Sequence, residues 1–303
     1  MPDQIPPFPE FREVSLEPSD GLRALFQTIR PPISEFTFTN LFLFRKAHDY
    51  RLSRIGTLLV ITGRGYDGKR YAFPPIGEGN VAEASLRLCE HLSSEGAEPV
   101  LFPVPREMLE AHYAGESWRS DADRDQADYV YLREELATLP GKKFHKRKNR
   151  LLKFLREEAE GYSYAALGDE HLNACLALAE DWCDVRCSTE RPSTYLETGA
   201  VLEALRHRVA LGLSGGVIVL GAKARAFCLG ERLNPDTFVV HFEKAEAGKD
   251  GLAQLINRDH CLHGLEGYRY VNREQDLGDP GLRQAKEAYH PVFLAEKYRV
   301  TPR

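Results

Sequence analysis

A mixed α/β protein, α+β in its sheets and built of two similar halves in tandem, is the fold class this sequence predicts. Three observations predict it. The chain has 303 residues, which is room for two cores, since ordinary domains run roughly 100–200 residues. Segments of helical period and segments of strand period recur along its whole length. In the second half, three successive strand-like runs are followed by helix, strand, helix and strand, and the first half follows a similar style.

From the N-terminus, residues 1–15 are rich in proline and read as an extended surface segment. Asp20 to Ile29 reads as a helix, capped by Ser19 or Asp20 and stopped by Pro31-Pro32. The segment Ser34 to Asn40 leads into an apolar run, Leu41–Phe44, with Thr37 and Asn40 as turn or cap residues. Arg51–Ile55 and Thr57–Thr62 read as strands, and Asp67-Gly68 signals a hairpin turn before Arg70–Phe73. An amphipathic helix is expected over Val81–Leu92, with Leu86, Leu88 and Leu92 on its apolar side. Strand 98–103 and helix 106–112 follow, and Asp128–Leu132 reads as the strand that ends the first half near Pro140. In the second half, helices are expected over 169–187 and 193–211, the latter with Ala200, Val201, Leu205 and Val209 on its apolar face. Strands 216–222, 224–233 and 237–244, helix 250–265, strand 268–272, helix 281–288 and strand 292–300 complete the chain. This order resembles that of a GNAT-type acyltransferase core. The expected division is 1–140 for the first domain, 141–160 for a basic connecting helix and 161–303 for the second.

Composition narrows the function classes. Hydrophobic residues make up 43% and charged residues 28%, which is globular and excludes a disordered chain. No apolar run approaches the roughly 18–20 residues needed to cross a bilayer. The start, MPDQIPPFPEF, has neither the basic nor the apolar region of a signal peptide. A cytoplasmic protein with reduced thiols is expected, its six cysteines being too sparse for a disulfide scaffold. Cys183 and Cys187 lie four apart on a predicted helix, where core packing is preferred to metal binding, so no metal site is expected. The balance of 40 basic and 45 acidic residues describes no general polyanion binder. Its distribution matters more than its sum. Between 142 and 156 there are eight lysines and arginines, with His145 and no acid, and Phe144, Leu151, Leu152, Phe154 and Leu155 interleave as an apolar stripe.

Three segments resemble one family. They are Ser34-Glu35-Phe36-Thr37-Phe38-Thr39-Asn40-Leu41; Tyr131-Leu132-Arg133 with the run from Leu139-Pro140-Gly141 to Lys148-Asn149; and Asn272-Arg273-Glu274-Gln275-Asp276-Leu277-Gly278 with Gly281-Leu282-Arg283 and Lys286. Together they resemble bacterial proteins carrying a phosphatidylglycerol-lysyltransferase C-terminal-like domain, over essentially the whole chain. The resemblance implies two GNAT-like domains in tandem, an arrangement shared with Fem-type peptidyltransferases that use aminoacyl-tRNA. The membrane-embedded part of the lysyltransferases is absent from this sequence, which weakens a membrane lipid as acceptor and leaves peripheral membrane contact open.

Candidate site residues follow from chemistry. Acyl-CoA-dependent GNAT enzymes hold pyrophosphate on a Gln/Arg-x-x-Gly-x-Gly/Ala loop at a helix N-terminus. The matching place here, Lys244 to Gly251, has two glycines at another spacing, and Glu246 and Asp250 would repel a phosphate. This favours a donor other than acetyl-CoA, the alternative being a plain helix capped by Asp250. Within the basic segment, Lys142, Lys143, His145, Arg147 and Asn149 are candidates to meet tRNA phosphates or a phosphorylated small molecule, against the plainer reading of a solvated face. Asn272, Arg273, Glu274, Gln275 and Asp276 are poor core material at a strand end and are expected beside a cleft, joined by Arg283 and Lys286 on the next helix. A structural ion-pair network is the alternative. On strand 237–244, His241 and Glu243 alternate onto one face, so either is a candidate base for an acceptor nucleophile, with Lys244 or Arg283 supplying a positive field.

These readings converge on an acyl-class transferase that moves an aminoacyl group, with aminoacyl-tRNA as donor, to an unidentified small-molecule or peptide acceptor in an interdomain cleft. Acyl-CoA-dependent N-acyl transfer is the alternative donor chemistry, and a non-catalytic binding protein on the same fold is the third reading. No cofactor beyond the donor is expected.

Overall fold

The computed structural model describes residues 5–17, 19–186 and 192–303. Cys187 lies outside the described residues, as does the side chain of Cys183. In chain order the elements are β1 (Arg12–Glu13), α1 (Ser19–Thr28), α2 (Phe38–Phe44), β2 (Arg51–Ile55), β3 (Leu58–Arg64), β4 (Arg70–Ala72), α3 (Val81–Ser94), β5 (Leu101–Pro105), α4 (Arg106–His112) and β6 (Trp118–Ala122). Then come β7 (Asp128–Leu132), α5 (Arg133–Thr138), α6 (His145–Glu157), β8 (Ser163–Ala166), α7 (Asp169–Arg186), α8 (Pro192–Arg206) and α9 (Arg208–Leu211). The chain closes with β9 (Ser214–Leu220), β10 (Lys223–Asn234), β11 (Thr237–Ala245), α10 (Leu252–His263), β12 (Tyr270–Asn272), α11 (Pro280–Glu287), β13 (Phe293–Ala295) and β14 (Lys297–Pro302).

Two seven-stranded mixed sheets result, in the orders β1-β2-β3-β4-β5-β14-β6 and β13-β7-β12-β11-β10-β9-β8. Read from β8, the second order repeats the first position by position. The mixed α+β expectation with two GNAT-like sheets holds. The two compact units are not the consecutive halves expected from a divide at 140. The first comprises Met1–Asp128, Gln275–Gly278 and Leu294–Arg303, the second Tyr129–Glu274 and Asp279–Phe293. Strand β7 was expected to end the first half, yet it pairs with β12 in the second sheet. The last run was expected to finish the second half as one strand, but it splits, and β14 pairs with β5 and β6 in the first sheet. Apolar alternation marks a strand without saying which sheet it joins.

In the first unit, Thr37 caps α2 by accepting from the Asn40 backbone N–H at 3.1 Å, so the Thr and Asn of that segment are the cap expected. Helix α3 covers its sheet with Val81, Ala84, Leu88, Cys89 and Leu92 against Leu58, Val60, Leu101 and Val300. Leu86, expected among them, is 45% exposed, because it stands two residues, about 200° of helix, from Leu88. In the second unit Val209 is exposed for another reason. The helix expected to run from 193 to 211 breaks at His207 and restarts as α9, which turns Val209 out. Each sheet contains a parallel pair that ends early: Ala72↔Leu101 between β4 and β5, and Thr237–Val239 against Tyr270–Asn272 between β11 and β12.

Candidate functional site

In the second unit, β11 runs on to Ala245 after its pairing with β12 stops at Val239↔Asn272. The register of β11 on β10 slips at the same level. Phe242 faces Leu229 and Val240 faces Gly230, which leaves His241 with no counterpart, a β-bulge. Gly230 permits the close approach, since a Cβ there would strike the Val239 carbonyl oxygen. The bulge aims His241 between two carboxylates. Its Nδ1 lies 2.8 Å from Glu274 and its Nε2 3.0 Å from Glu231, with 4% of the side chain exposed. A carboxylate only accepts, so both ring nitrogens donate and the ring is an imidazolium. Burial pulls His241 towards its neutral form, but the hydrogen bonds to Glu231 and Glu274 outweigh it and hold its pKa at about 10. His241 therefore has no lone pair to act as the base proposed from the sequence.

Glu243, two residues on, accepts from Arg273 at 3.1 and 3.2 Å and from Asn257 Nδ2 at 3.3 Å. Burial alone would lower the pKa of Arg273, yet Glu243 raises it further above its usual value. Its guanidinium lies 5.1 Å from the Tyr289 ring centroid and 5.9 Å from that of Tyr131. Lys244 does not join this group. As the neighbour of Glu243 it points to the other face of β11, where it is 4% exposed and pairs with Glu197 at 2.7 Å. The positive field it was expected to supply is used up in that pair.

The loop after β12 is held by its own polar side chains. Asn272, fully buried, accepts from the Glu274 backbone N–H at 2.7 Å, which fixes Glu274 in the left-handed region at φ 56°. Lys286 donates to the carbonyl oxygens of Arg273 at 2.5 Å and of Glu274 at 2.9 Å. It is a clamp on the loop rather than the substrate-facing cation expected. Gln275 and Asp276 belong to the first unit. There Asp276 is buried, accepts from the Gly278 N–H at 2.9 Å and pairs with Arg124 at 3.3 Å, a structural post. Gln275 is half-buried in the loop, and Arg283 is half-buried on α11.

Of the basic segment, Arg147 is the residue that reaches this group. Its guanidinium lies 5.1 Å from the centroid of the Tyr289 ring, which is also contacted by Arg273. Lys143 is taken by Glu135 at 2.8 Å. His145 and Asn149 hydrogen-bond each other at 3.4 Å on the exposed side of α6. Lys142, Lys146 and Lys148 are exposed. Glu231, Asn257 and Tyr289 were not foreseen. Tyr289 lies just past the end of α11, and the place of Glu231 depends on the bulge. Among the described residues no cluster of histidines, cysteines and carboxylates could hold a metal ion.

The N-terminus of α10, where a GNAT enzyme would seat pyrophosphate, is covered. A Cβ on Gly251 would strike the Phe154 Cβ and lie 2.8 Å from the Arg150 carbonyl oxygen, so α6 packs directly on that turn. Lys249 pairs with Glu158 at 2.6 Å and Arg150 lies 3.7 Å from Asp250. The turn fits a neighbouring helix, not a phosphate. No described helix is long and apolar enough to cross a membrane.

A conserved protein of unknown function from Bacteroides thetaiotaomicron shares 33% of residues with this chain, covering 97% of it and 99% of that chain at a TM-score of 0.87. L-PGS from Bacillus licheniformis shares the fold at 16% identity over 96% of this chain and 93% of that one, TM-score 0.64. FemX does so at 8% identity over 97% of each chain, TM-score 0.57. An uncharacterized protein of Mycoplasmoides gallisepticum is 22% identical over 57% of this chain, a match that spans about half, 55%, of that relative's length. The three segments quoted from the sequence, the paired sheet orders and a match of residues 26–301 to the family model "Phosphatidylglycerol lysyltransferase, C-terminal" agree, and the chain belongs to that family.

Proposed function

We propose that the second unit transfers an aminoacyl group from aminoacyl-tRNA to a small-molecule or peptide acceptor. The observation that carries the reading is the packing of α6 over the start of α10. A helix with six lysines and arginines, preceded by Lys142 and Lys143, stands where a coenzyme's pyrophosphate would bind, and the exposed Lys142, Lys146 and Lys148 are offered to a longer polyanion. The names of the relatives support the same reading: one solved relative is described as a putative lysylphosphatidylglycerol synthetase domain.

In this reading Arg147 carries the contact inward through Tyr289 to Arg273. The imidazolium of His241 and the guanidinium of Arg273, fixed by their carboxylates, supply the positive field for the oxyanion of acyl transfer. Proton removal from the acceptor falls to a carboxylate, and Glu243 is the residue we assign. Incubation with charged tRNA pools is the test. Deacylation that accelerates when the right acceptor is added supports the assignment, and absence of tRNA binding at low salt removes the donor. Low-micromolar binding of acyl-CoA by calorimetry, with no tRNA effect, would instead establish acyl-CoA-dependent N-acyl transfer.

A further inference from the structure

We infer that the first unit holds one sealed proton among Glu35, Asp128 and Lys297, and that this proton locks the last strand, β14, into its sheet. The inference does not depend on the transfer reaction. It gives a role to the Ser34–Asn40 segment, beyond the cap that Thr37 and Asn40 provide.

The geometry is a closed charge cluster. The Lys297 ammonium donates to Glu35 Oε1 at 2.6 Å and to Asp128 Oδ1 at 2.6 Å. The side chains of Lys297 and Asp128 are 0% exposed and that of Glu35 is 9% exposed. Ser34 completes the shell, its backbone N–H donating to Asp128 Oδ2 at 2.8 Å and its hydroxyl lying 3.2 Å from Asp128 Oδ1 and 3.4 Å from Glu35 Oε2. Other titratable groups that act on this site are the phenols of Tyr50 and Tyr71. Burial keeps both above their ordinary pKa, so they bring no charge.

Two carboxylates and one ammonium leave one negative charge in a space almost closed to water. A lone buried charge is costly enough that a group takes up a proton instead. One proton brings the cluster to neutrality, and Glu35 is its seat. Burial pushes that carboxyl up, Lys297 pulls it back and Asp128 pushes it up again, leaving it at about 7. Lys297 is the first residue of β14, which fills the position between β5 and β6. Loss of the proton near neutral pH therefore weakens the anchor of that strand.

Infrared spectroscopy on the whole protein tests this. A protonated-carboxyl C=O band from a site closed to solvent is expected at pH 6, fading through pH 7 to 8 and missing in Glu35→Gln. Hydrogen exchange read by mass spectrometry supplies the second measurement. After correction for the chemical rate, β14 amides should exchange several-fold faster at pH 8 than at pH 6 in the natural protein and at one rate in Glu35→Gln. A spectrum without that band at pH 6, a band that survives Glu35→Gln, or β14 exchange with the same pH course in both proteins overturns the proposal.

Discussion

Beyond the short parallel pair of the first unit, the space is filled by rings. Phe36 stacks on Phe73 at 6.0 Å, Phe73 on Tyr71 at 6.1 Å, and Tyr71 meets Phe102 edge-on at 5.9 Å, while the charges nearby are sealed. Beyond the corresponding pair of the second unit stand His241, Glu243, Arg273 and Glu274. There Arg273 and Glu243 each keep 16% of their side chains exposed and Glu274 keeps 20%. The same strand order thus ends once in an aromatic plug and once in a partly exposed set of ion pairs. Aromatic packing adds stability with little polarity to spend on chemistry, whereas oriented, partly wet charges can answer a developing charge. Under the proposed function, that difference makes the first unit the scaffold and the second the one that reacts.

Replacing single charges should expose that contrast most strongly. Lys297→Met strands two carboxylates in a dry site and should cost about 3–5 kcal/mol, read as a lower urea midpoint at neutral pH with partial recovery at pH 5. If the loss is under about 1 kcal/mol, the cluster is not sealed. Arg273→Met frees a carboxylate that water can still reach, so a smaller loss of about 1–3 kcal/mol is expected, together with loss of any transfer activity. Equal losses in the two variants would erase the distinction between the units.

The units should also titrate in different windows. Glu35 is raised from 4.5 to about 7 in the folded protein, so its contribution is full below pH 4.5 and lost as pH rises to 7. His241 is raised from 6.5 to about 10, so its contribution is full below pH 6.5 and lost as pH rises through 10. Denaturation midpoints measured from pH 4.5 to 10 should fall in two stages. Glu35→Gln should flatten the first stage and His241→Asn the second. A single stage removed by either variant would tie the two clusters together. The smallest effect on stability is expected at the surface of α6. Lys146→Ala should stay within about 0.5 kcal/mol while lowering the salt dependence of tRNA binding by about one charge. An unchanged salt slope would detach α6 from the polyanion reading.

Much of the fold was legible because helix periods, caps and turn residues are local. The Thr37 cap, the strands around Asp67-Gly68 and the order of the second half needed no partner information. The destination of β7 and β14 was not legible, since each is a short alternating strand that fits either sheet. At the site, the gathering of residues 272–274 in one loop could be read from polar residues at a strand end, whereas the pairing of Arg273 with Glu243 came only with the fold. The state of His241 could not, because it requires Glu231, which a bulge at Gly230 brings across. Lys244 and Lys286 were misread for one reason: a lysine on the page is a cation in search of an anion, and only the fold shows that Glu197 or two peptide carbonyls have already answered it.

The exchange of β7 and β14 bears on biosynthesis. The first sheet lacks its penultimate member until the ribosome has made nearly all of the second unit, so the portion translated first is completed late. Until then β5 and β6 present unpaired edges, a state in which nascent chains invite chaperones or pair with the wrong neighbour. Fragments cut at position 140 would keep that vacancy permanently, so co-expressed pieces should be recovered together or not at all.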